Sequence, residues 1–242
     1  MLNWTKILRI RRPPIFIGEL NKPKHVGVIT EGVRNWAEIN NKTFEESYEK
    51  QFSIINKLIK LQVTFDIPIL TINVKDSNLL VDNKVLINCL KSFFSKLSRN
   101  DFLHKNQMKI SILGKWYDLP GEIIEPIRNT IDETKNYDKY FLNFCINYNG
   151  HEELVDSFKI IVKQIEGRKI KISEINQQTI KDNLYTSHFL PLDLVIRSGQ
   201  KHELTDFLMW DSTKAIIYFT NKYWPDFNKD DFLNAIAKFQ RN

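Results

Sequence analysis

Hydrophobic positions along the chain fall into short apolar runs that alternate with longer segments of helical periodicity. The short runs are rich in β-branched and aromatic residues, which is typical of buried strands. We predict strands at residues 24–30, 67–74, 108–114, 139–150, 192–199 and 215–220. Between them, apolar residues recur every three or four positions, as on one face of a helix. We predict helices at residues 43–66, 82–98, 119–134, 151–166, 173–185 and 228–242, with a short helical turn at 204–210.

The order of these elements predicts an α/β fold. Buried strands that alternate with helices form βαβ units, and successive units build a mainly parallel sheet with helices on both faces. In such a sheet, the ligand crevice lies beyond the carboxyl ends of the strands. This rule points to four segments: Thr30–Arg34, Val74–Asn78, Asn147–His151 and Arg197–His202. Because no internal repeat or linker divides the chain, we expect one domain over residues 23–242.

The composition is that of an ordinary globular protein, preceded by a basic arm at residues 1–22. Hydrophobic residues make up 42% of the chain and charged residues 26%, which is enough to build a sizeable core. The formal net charge of +6 favours anionic partners. The excess is concentrated in the arm, where apolar residues are interleaved with four cations: Lys6, Arg9, Arg11 and Arg12. Two interpretations stay open, since residues 1–13 suit either a peripheral membrane contact or a solvated basic face.

The lengths of the apolar runs and the positions of the cysteines indicate the cellular compartment. No apolar run approaches the ~20 residues of a membrane span, and no signal peptide is visible. Cys89 and Cys145 lie far apart among apolar neighbours, which favours buried, reduced thiols over a disulfide or a metal pair. We therefore expect a cytoplasmic protein. A module that binds anions or nucleic acid through the arm is a third candidate, but no aromatic and basic stripe supports specific nucleic-acid recognition.

Four motifs at the predicted strand ends resemble those of the cis-prenyltransferase family, which includes the undecaprenyl and dehydrodolichyl diphosphate synthases. They are "HVGVITEGVRNWA" from His25, "INYNGHEELV" from Ile146, "LDLVIRSGQKHELTDFLMWD" from Leu192 and "AIIYFTNKYWPDFNKDDF" from Ala215. The motifs follow the family's order and spacing over about residues 23–240. The resemblance implies a single six-stranded, mainly parallel sheet flanked by helices. It also implies a dimer and an apolar tunnel beside the crevice.

The resemblance further implies a chemistry. The family joins an allylic diphosphate to isopentenyl diphosphate and makes Z double bonds. Release of diphosphate needs dense positive charge, which the family supplies with arginines, backbone N–H groups and a Mg²⁺ held by a loop Asp. Glu31 stands in place of that Asp, so the resemblance assigns it a catalytic and metal-binding role with Mg²⁺, if the chain is active. Asp76 and Asn78 fall at polar positions of the reaction centre and are the other catalytic candidates.

The same resemblance assigns a set of diphosphate-binding candidates: Gly32, Arg34, Arg197, Lys201, His202 and Thr205. Three of the family's cations are missing, since Asn35 and Phe44 replace arginines and Glu203 reverses a charge. Val33 also replaces a residue that can form hydrogen bonds.

Five residues are expected to line or fill the tunnel: Phe44, Tyr48, Val74, Tyr140 and Phe144. Phe44 and Tyr48 lie four residues apart, on one helical stripe, which favours packing over contact with a diphosphate.

The missing cations lead to two main hypotheses. Loss of a cation that acts on a transferring phosphate costs about 10²–10⁵-fold in rate, so we expect little chain elongation by this chain alone. The first hypothesis is a catalytically degraded subunit of polyprenyl diphosphate biosynthesis that pairs with an active cis-prenyltransferase; the resemblance allows a homodimer or a heterodimer. The alternative is a divergent enzyme that converts a prenyl diphosphate into a short, branched or cyclised product. The ending "FQRN" departs from the Arg-x-Gly of the family's accessory subunits.

Overall fold

The strands of the computed structural model, which describes residues 21–74 and 84–241, form one parallel sheet. They are β1 (His25–Ile29), β2 (Ile69–Asn73), β3 (Met108–Leu113), β4 (Tyr140–Cys145), β5 (Leu194–Ser198) and β6 (Ile216–Thr220). Their order across the sheet is β3-β4-β2-β1-β5-β6, and every neighbouring pair is parallel. The predicted fold class is confirmed, and the sheet is wholly rather than mainly parallel.

Helices cover both faces of the sheet. Within the described residues they are α1 (Val33–Ile39), α2 (Phe44–Thr64), α3 (Lys84–Leu97), α4 (Asp101–Lys105), α5 (Gly121–Thr134), α6 (Gly150–Glu166), α7 (Gln177–Lys181) and α8 (Lys229–Phe239). The start of α2 follows its sequence signal, because the Thr43 hydroxyl accepts from the Glu46 N–H and the Glu46 carboxylate accepts from the Thr43 N–H.

Four helical elements differ from the prediction. The sequence patterns missed α1 and α4, which are short helices of seven and five residues. The helix predicted at 173–185 shortens to α7, because Asn176 caps a new helix start inside that range. The turn predicted at 204–210 is not helical, because Thr205 and Leu208 have positive φ angles of 56° and 41°.

Two apolar clusters lie on the two faces of the sheet. The larger one packs α2, α3, α5 and α8 against the strands. It contains a group of aromatic side chains in which Phe93 contacts Phe52, Phe94 and Phe144. The smaller cluster holds Phe207 and Leu208 against the opposite face. Cys145 belongs to the smaller cluster and is buried, as predicted, whereas Cys89 packs beside the larger cluster and is only partly buried; both are free thiols.

Helix α6 turns much of its apolar surface to solvent. Val155, Phe158 and Val162 are 49%, 51% and 51% exposed and follow one another at helical spacing. Its inward residues include Glu153, whose carboxylate accepts from the Tyr148 hydroxyl at 2.5 Å and from the Tyr185 N–H at 3.0 Å. Burial raises the pKa of Glu153. The helix therefore carries an apolar face that the described residues of this chain do not cover.

The predicted basic arm lies almost entirely outside the described residues, which begin at Asn21. Its membrane contact through residues 1–13 stays a prediction. No helix in the described part of the chain has the length and apolar character needed to cross a bilayer.

His25 links the start of β1 to its neighbours. Its Nδ1 lies 2.6 Å from the Leu190 carbonyl oxygen, and its Nε2 lies 2.8 Å from the Thr71 hydroxyl. The Thr71 oxygen also accepts from the Asn143 side-chain amide at 3.1 Å. These contacts suit a neutral ring that donates through Nδ1 and accepts through Nε2. Burial lowers the pKa of His25 to about 4.

The depressed pKa of His25 predicts a loss of stability in acid. Unfolded His25 takes up a proton near its ordinary pKa of about 6.5, whereas the folded ring stays neutral until about pH 4. The free energy of unfolding should therefore fall by about 3 kcal/mol between pH 7 and pH 4 from this group alone. Urea denaturation across this range should show a shallower pH dependence for His25→Gln than for the native chain. Parallel curves for the two proteins would contradict the assignment.

Candidate functional site

The carboxyl ends of β1 and β5 lie side by side and form the centre of the candidate site. Ile29 of β1 pairs with Arg197 of β5, so the residues that follow each strand meet at one edge of the sheet. The Ser198 hydroxyl accepts from the Glu31 N–H at 2.9 Å and donates to the Ile29 carbonyl at 3.1 Å. The Glu31 carbonyl accepts from the Trp224 N–H at 2.9 Å. These three hydrogen bonds fix the loop after β1.

Arg197 is a buried cation, and Glu31 is its carboxylate partner among the described residues. Its residue is 1% exposed, and its Nη2 donates to the Glu31 carboxylate. Its Nε donates to the Lys201 carbonyl at 2.7 Å. Its Nη1 is buried and has no hydrogen-bond partner among the described residues. Because a buried charge is stable only when it is paired, Glu31 is required to keep Arg197 in this position.

Two glycines allow the loops to approach each other. Gly32 has a φ of 83°, and a Cβ there would lie 2.0 Å from Cδ1 of Tyr223. Gly199 has a φ of 101°, and a Cβ there would lie 3.3 Å from the Cβ of Glu31. Both residues occupy backbone conformations that favour glycine, and both give room to the elements around Glu31.

Arg34 lies on the α1 side of the site and contacts two of the predicted tunnel residues. Its guanidinium carbon is 5.1 Å from the centroid of the Phe44 ring, which is a cation–π geometry. Its Nε donates to the Tyr48 hydroxyl at 3.0 Å. Tyr48 is buried and Phe44 is partly exposed. The two aromatic side chains of the helical stripe therefore hold an arginine in place.

The remaining diphosphate-binding candidates lie on the segment after β5. The side chain of Lys201 is exposed, and its backbone carbonyl is the group that contacts Arg197. The His202 ring stacks on Phe219 at 4.9 Å, and its Nε2 lies 2.8 Å from the Asn221 side-chain oxygen. Thr205 has a positive φ of 56°, and its buried hydroxyl has no partner among the described residues. Strain of this kind is often found at functional sites.

The other predicted residues lie in the apolar core, at the amino ends of the strands or outside the described residues. Val74 and Phe144 are buried in the larger apolar cluster, where Phe144 packs edge-on against Phe93 at 5.6 Å. Tyr140 begins β4, and its hydroxyl donates to Asp66 at 2.9 Å, so it lies at the amino ends of the strands. The two remaining catalytic candidates, Asp76 and Asn78, lie outside the described residues.

Sequence reasoning missed several residues that shape the site. Gln51 donates from its side chain to the Thr30 hydroxyl at 3.1 Å, and Thr30 donates to the Asn73 carbonyl at 2.8 Å. These two contacts tie α2 to the ends of β1 and β2. Ser198 is the polar last residue of apolar β5 and lies within the predicted crevice segment Arg197–His202, but it was not among the predicted site residues. No sequence pattern indicates a role for Gln51, because it is a polar residue within a predicted helix.

The sequence as a whole matches a known family. Residues 29–242 match the prenyltransferase family described as "Putative undecaprenyl diphosphate synthase". The chain belongs to this prenyltransferase family. The predicted resemblance to cis-prenyltransferases is thereby confirmed. Members of the family are typically dimeric, use prenyl and isopentenyl diphosphates, and generally depend on Mg²⁺.

Curated relatives and solved structures of the prenyltransferase family span nearly the whole chain. A tritrans,polycis-undecaprenyl-diphosphate synthase (geranylgeranyl-diphosphate specific) of Thermoplasma volcanium is 32% identical, over 91% of this chain and 87% of its own. An isoprenyl transferase of Rickettsia typhi is 31% identical, over 90% of this chain and 95% of its own. Lavandulyl diphosphate synthase from Lavandula x intermedia, solved with dimethylallyl diphosphate, shares the fold, with a TM-score of 0.82 and 23% identity over 91% and 96% of the two chains.

Mg²⁺ is commonly held by one or two protein carboxylates together with phosphate oxygens of a substrate, so Glu31 is the described side chain that would supply the protein's ligand. A Mg²⁺ site needs oxygen ligands that are free to coordinate. Glu31 is the carboxylate at the expected position, and it is engaged by the buried Arg197. No cluster of three or more His, Cys, Asp or Glu side chains with metal-binding geometry occurs among the described residues.

The burial of Arg197 predicts a non-additive response to substitution. Glu31→Gln should destabilise the fold by about 2–4 kcal/mol, because it leaves a buried guanidinium without a counter-charge. Arg197→Met combined with Glu31→Gln should recover most of that loss, because it removes the buried charge as well. Urea denaturation of the single and double variants measures the coupling.

Glu203→Gln is the matched control, since it makes the same change in charge at an exposed position of the neighbouring segment. It should change the unfolding free energy by less than about 0.5 kcal/mol. Equal, small effects of Glu31→Gln and Glu203→Gln would show that the ion pair contributes nothing to stability.

Proposed function

We propose that this chain is a non-catalytic subunit of polyprenyl diphosphate biosynthesis that pairs with a catalytically competent cis-prenyltransferase. The observation that carries the proposal is the ion pair between Glu31 and the buried Arg197. In the family's chemistry, groups at these two positions act on the metal and on a diphosphate. Here each neutralises the other, so a diphosphate would have to compete with Glu31 for the arginine.

The other charges near the site support the same proposal. Arg34 is held against Phe44 and Tyr48. The Lys201 side chain is exposed, and the neighbouring Glu203 adds a negative charge that repels a diphosphate. Arg34 and Arg197 thus already have partners within the protein, which reduces the positive charge available to a departing diphosphate.

The exposed face of α6 supports pairing with a second chain. Val155, Phe158 and Val162 form a continuous apolar stripe that is about half exposed. Contiguous apolar surface of this kind marks interaction sites more often than ordinary protein surface. Because members of this family are typically dimeric, a second chain of the same fold is the partner that we assign to this face.

The alternative function is a divergent prenyltransferase that is active alone. The two relatives, one named as a synthase and one as an isoprenyl transferase, match this chain over 87% and 95% of their own lengths, which favours a shared activity. Arg197 Nη1 and Thr205 Oγ1 are buried polar atoms without described partners, and both suit contact with phosphate oxygens. Under this alternative the chain would join an allylic diphosphate to isopentenyl diphosphate, or rearrange a single prenyl diphosphate.

An incorporation assay separates the two functions. Labelled isopentenyl diphosphate is supplied with Mg²⁺ and with dimethylallyl, farnesyl or geranylgeranyl diphosphate. The isolated chain should give no product, whereas its complex with a motif-complete homologue from the same source should exceed the homologue alone by at least about tenfold. Turnover by the isolated chain would overturn the subunit proposal.

The double variant Glu31→Gln/Arg197→Met tests in the same assay whether the ion pair takes part in catalysis. It removes both charges of the ion pair while retaining most of the stability. If the chain is a non-catalytic subunit, the complex that contains this variant should keep its activity. If the chain itself transfers prenyl groups, the variant should lose activity both alone and in the complex.

The pairing surface is tested by placing a charge on α6. Phe158→Asp should weaken the complex, because it buries an unpaired carboxylate in the interface. Ile39→Asp is the control, since Ile39 is 65% exposed at the end of α1, a different helix. Light scattering after size-exclusion chromatography should show loss of the complex for Phe158→Asp alone. Retention of the complex in both variants would exclude α6 as the interface.

A further inference from the structure

A groove between the second half of α2 and the start of α8 is separate from the Glu31 site. Apolar side chains line it: Ile54, Leu58, Leu61 and Phe227. Three lysines stand around it: Lys57, Lys60 and Lys229. Its volume is about 230 Å³. We call it the lysine groove.

We propose that the lysine groove binds a single-chain anionic amphiphile, with the apolar chain in the groove and the phosphate or carboxylate head at the lysines. This inference does not depend on the proposed subunit function, because no residue of the groove belongs to the Glu31 site.

The floor of the groove is preformed. Leu58 is 1% exposed and Phe227 is 4% exposed, so both are held by the protein interior. Phe227 stacks on Trp224 with ring centroids 4.8 Å apart, and the Trp224 indole N–H donates to the Gln51 carbonyl of α2 at 3.3 Å. These contacts join the two walls, so an apolar chain enters a cleft that needs little reorganisation.

The charge around the groove is positive and largely uncompensated. Lys57, Lys60 and Lys229 form no ion pair within the described part of the chain. Nearby carboxylates are engaged elsewhere, since Asp226 pairs with Lys50 at 3.4 Å and Asp231 pairs with Lys222 at 2.8 Å.

The lysine side chains, and not the backbone N–H groups at the start of α8, are the groups that would bind the anionic head. The Asn228 side-chain oxygen accepts from the N–H groups of Asp230 and Asp231, so these donors of the α8 N-terminus are satisfied. Asp230 is the carboxylate next to Lys229 and offsets part of its charge. The balance at the rim therefore still favours an anion.

The size and polarity of the groove select the ligand class. Pockets for drug-sized ligands hold roughly 300–1,000 Å³, so about 230 Å³ suits one narrow chain better than a two-chain lipid. A free inorganic anion would gain nothing from the apolar floor, and a cationic amphiphile would be repelled by the rim. One apolar chain with an anionic head satisfies both features.

Isothermal titration calorimetry with monododecyl phosphate, below its micelle concentration, tests the proposal. The native chain should bind one equivalent in the groove. The triple variant Lys57→Gln/Lys60→Gln/Lys229→Gln should bind about tenfold more weakly, since three exposed charges that attract the head group are removed. The control Lys105→Gln/Lys169→Gln/Lys214→Gln makes the same charge change at exposed lysines elsewhere and should bind as the native chain does.

Leu61→Trp tests the apolar part separately. This substitution fills the groove and leaves its three lysines in place, so it should also reduce the affinity at least about tenfold. Thermal denaturation checks that each variant is folded. Dodecyltrimethylammonium, with the same chain and a cationic head, and inorganic phosphate, with no chain, should not bind in the groove.

Several outcomes would overturn the proposal. Equal loss in the two lysine triple variants would indicate a general charge effect. Loss of binding in Glu31→Gln/Arg197→Met, with retention in the groove variants, would assign the amphiphile to the Glu31 site. Binding only to vesicles that contain phosphatidylglycerol, and not to monododecyl phosphate, would indicate a bilayer surface as the ligand.

Discussion

The guanidinium of Arg197 is buried at the carboxyl end of β5, and the arrangement of the site depends on how that charge is compensated. The partner carboxylate comes from Glu31 on the adjacent strand end, 166 positions away in the chain. Parallel pairing of β1 with β5 brings the two together, and the Ser198 hydroxyl fixes the loop that carries Glu31. Gly32 and Gly199 then give the room that this close approach needs. The ion pair is therefore both a structural constraint and the main electrostatic feature of the crevice.

The same ion pair affects whether the site can catalyse prenyl transfer. A prenyltransferase site concentrates positive charge where diphosphate departs. In this chain the arginine at the centre is already neutralised, and Arg34 is packed against two aromatic side chains. The family relation is clear over residues 29–242, yet family membership alone does not assign catalysis, because catalysis depends on the groups at the strand ends.

Two apolar surfaces lie away from the crevice, and their shapes and charges suit different kinds of ligand. The outer face of α6 carries a helical stripe of half-exposed apolar side chains, Val155, Phe158 and Val162, which suits another protein surface. The groove between α2 and α8 is narrow and surrounded by cations, which suits a small amphiphile. Trp224 lies between the groove and the crevice, since its backbone N–H contacts the Glu31 carbonyl and its ring stacks on Phe227.

The amino-acid sequence by itself determined the α/β class, the six strands, the long helices and the family, because these depend on local periodicity and on motifs at strand ends. It also singled out Glu31, Gly32, Arg34 and Arg197. Tertiary structure alone decided how these side chains meet. No sequence pattern indicates that Glu31 and Arg197 form an ion pair, that Arg34 is held by Phe44 and Tyr48, or that Tyr140 lies at the far end of the sheet. Some of those contacts join residues that are distant in the chain, and the others depend on the geometry of the loops. Burial of the Arg197 charge and the left-handed backbone of Gly32 exist only once the strands are packed side by side.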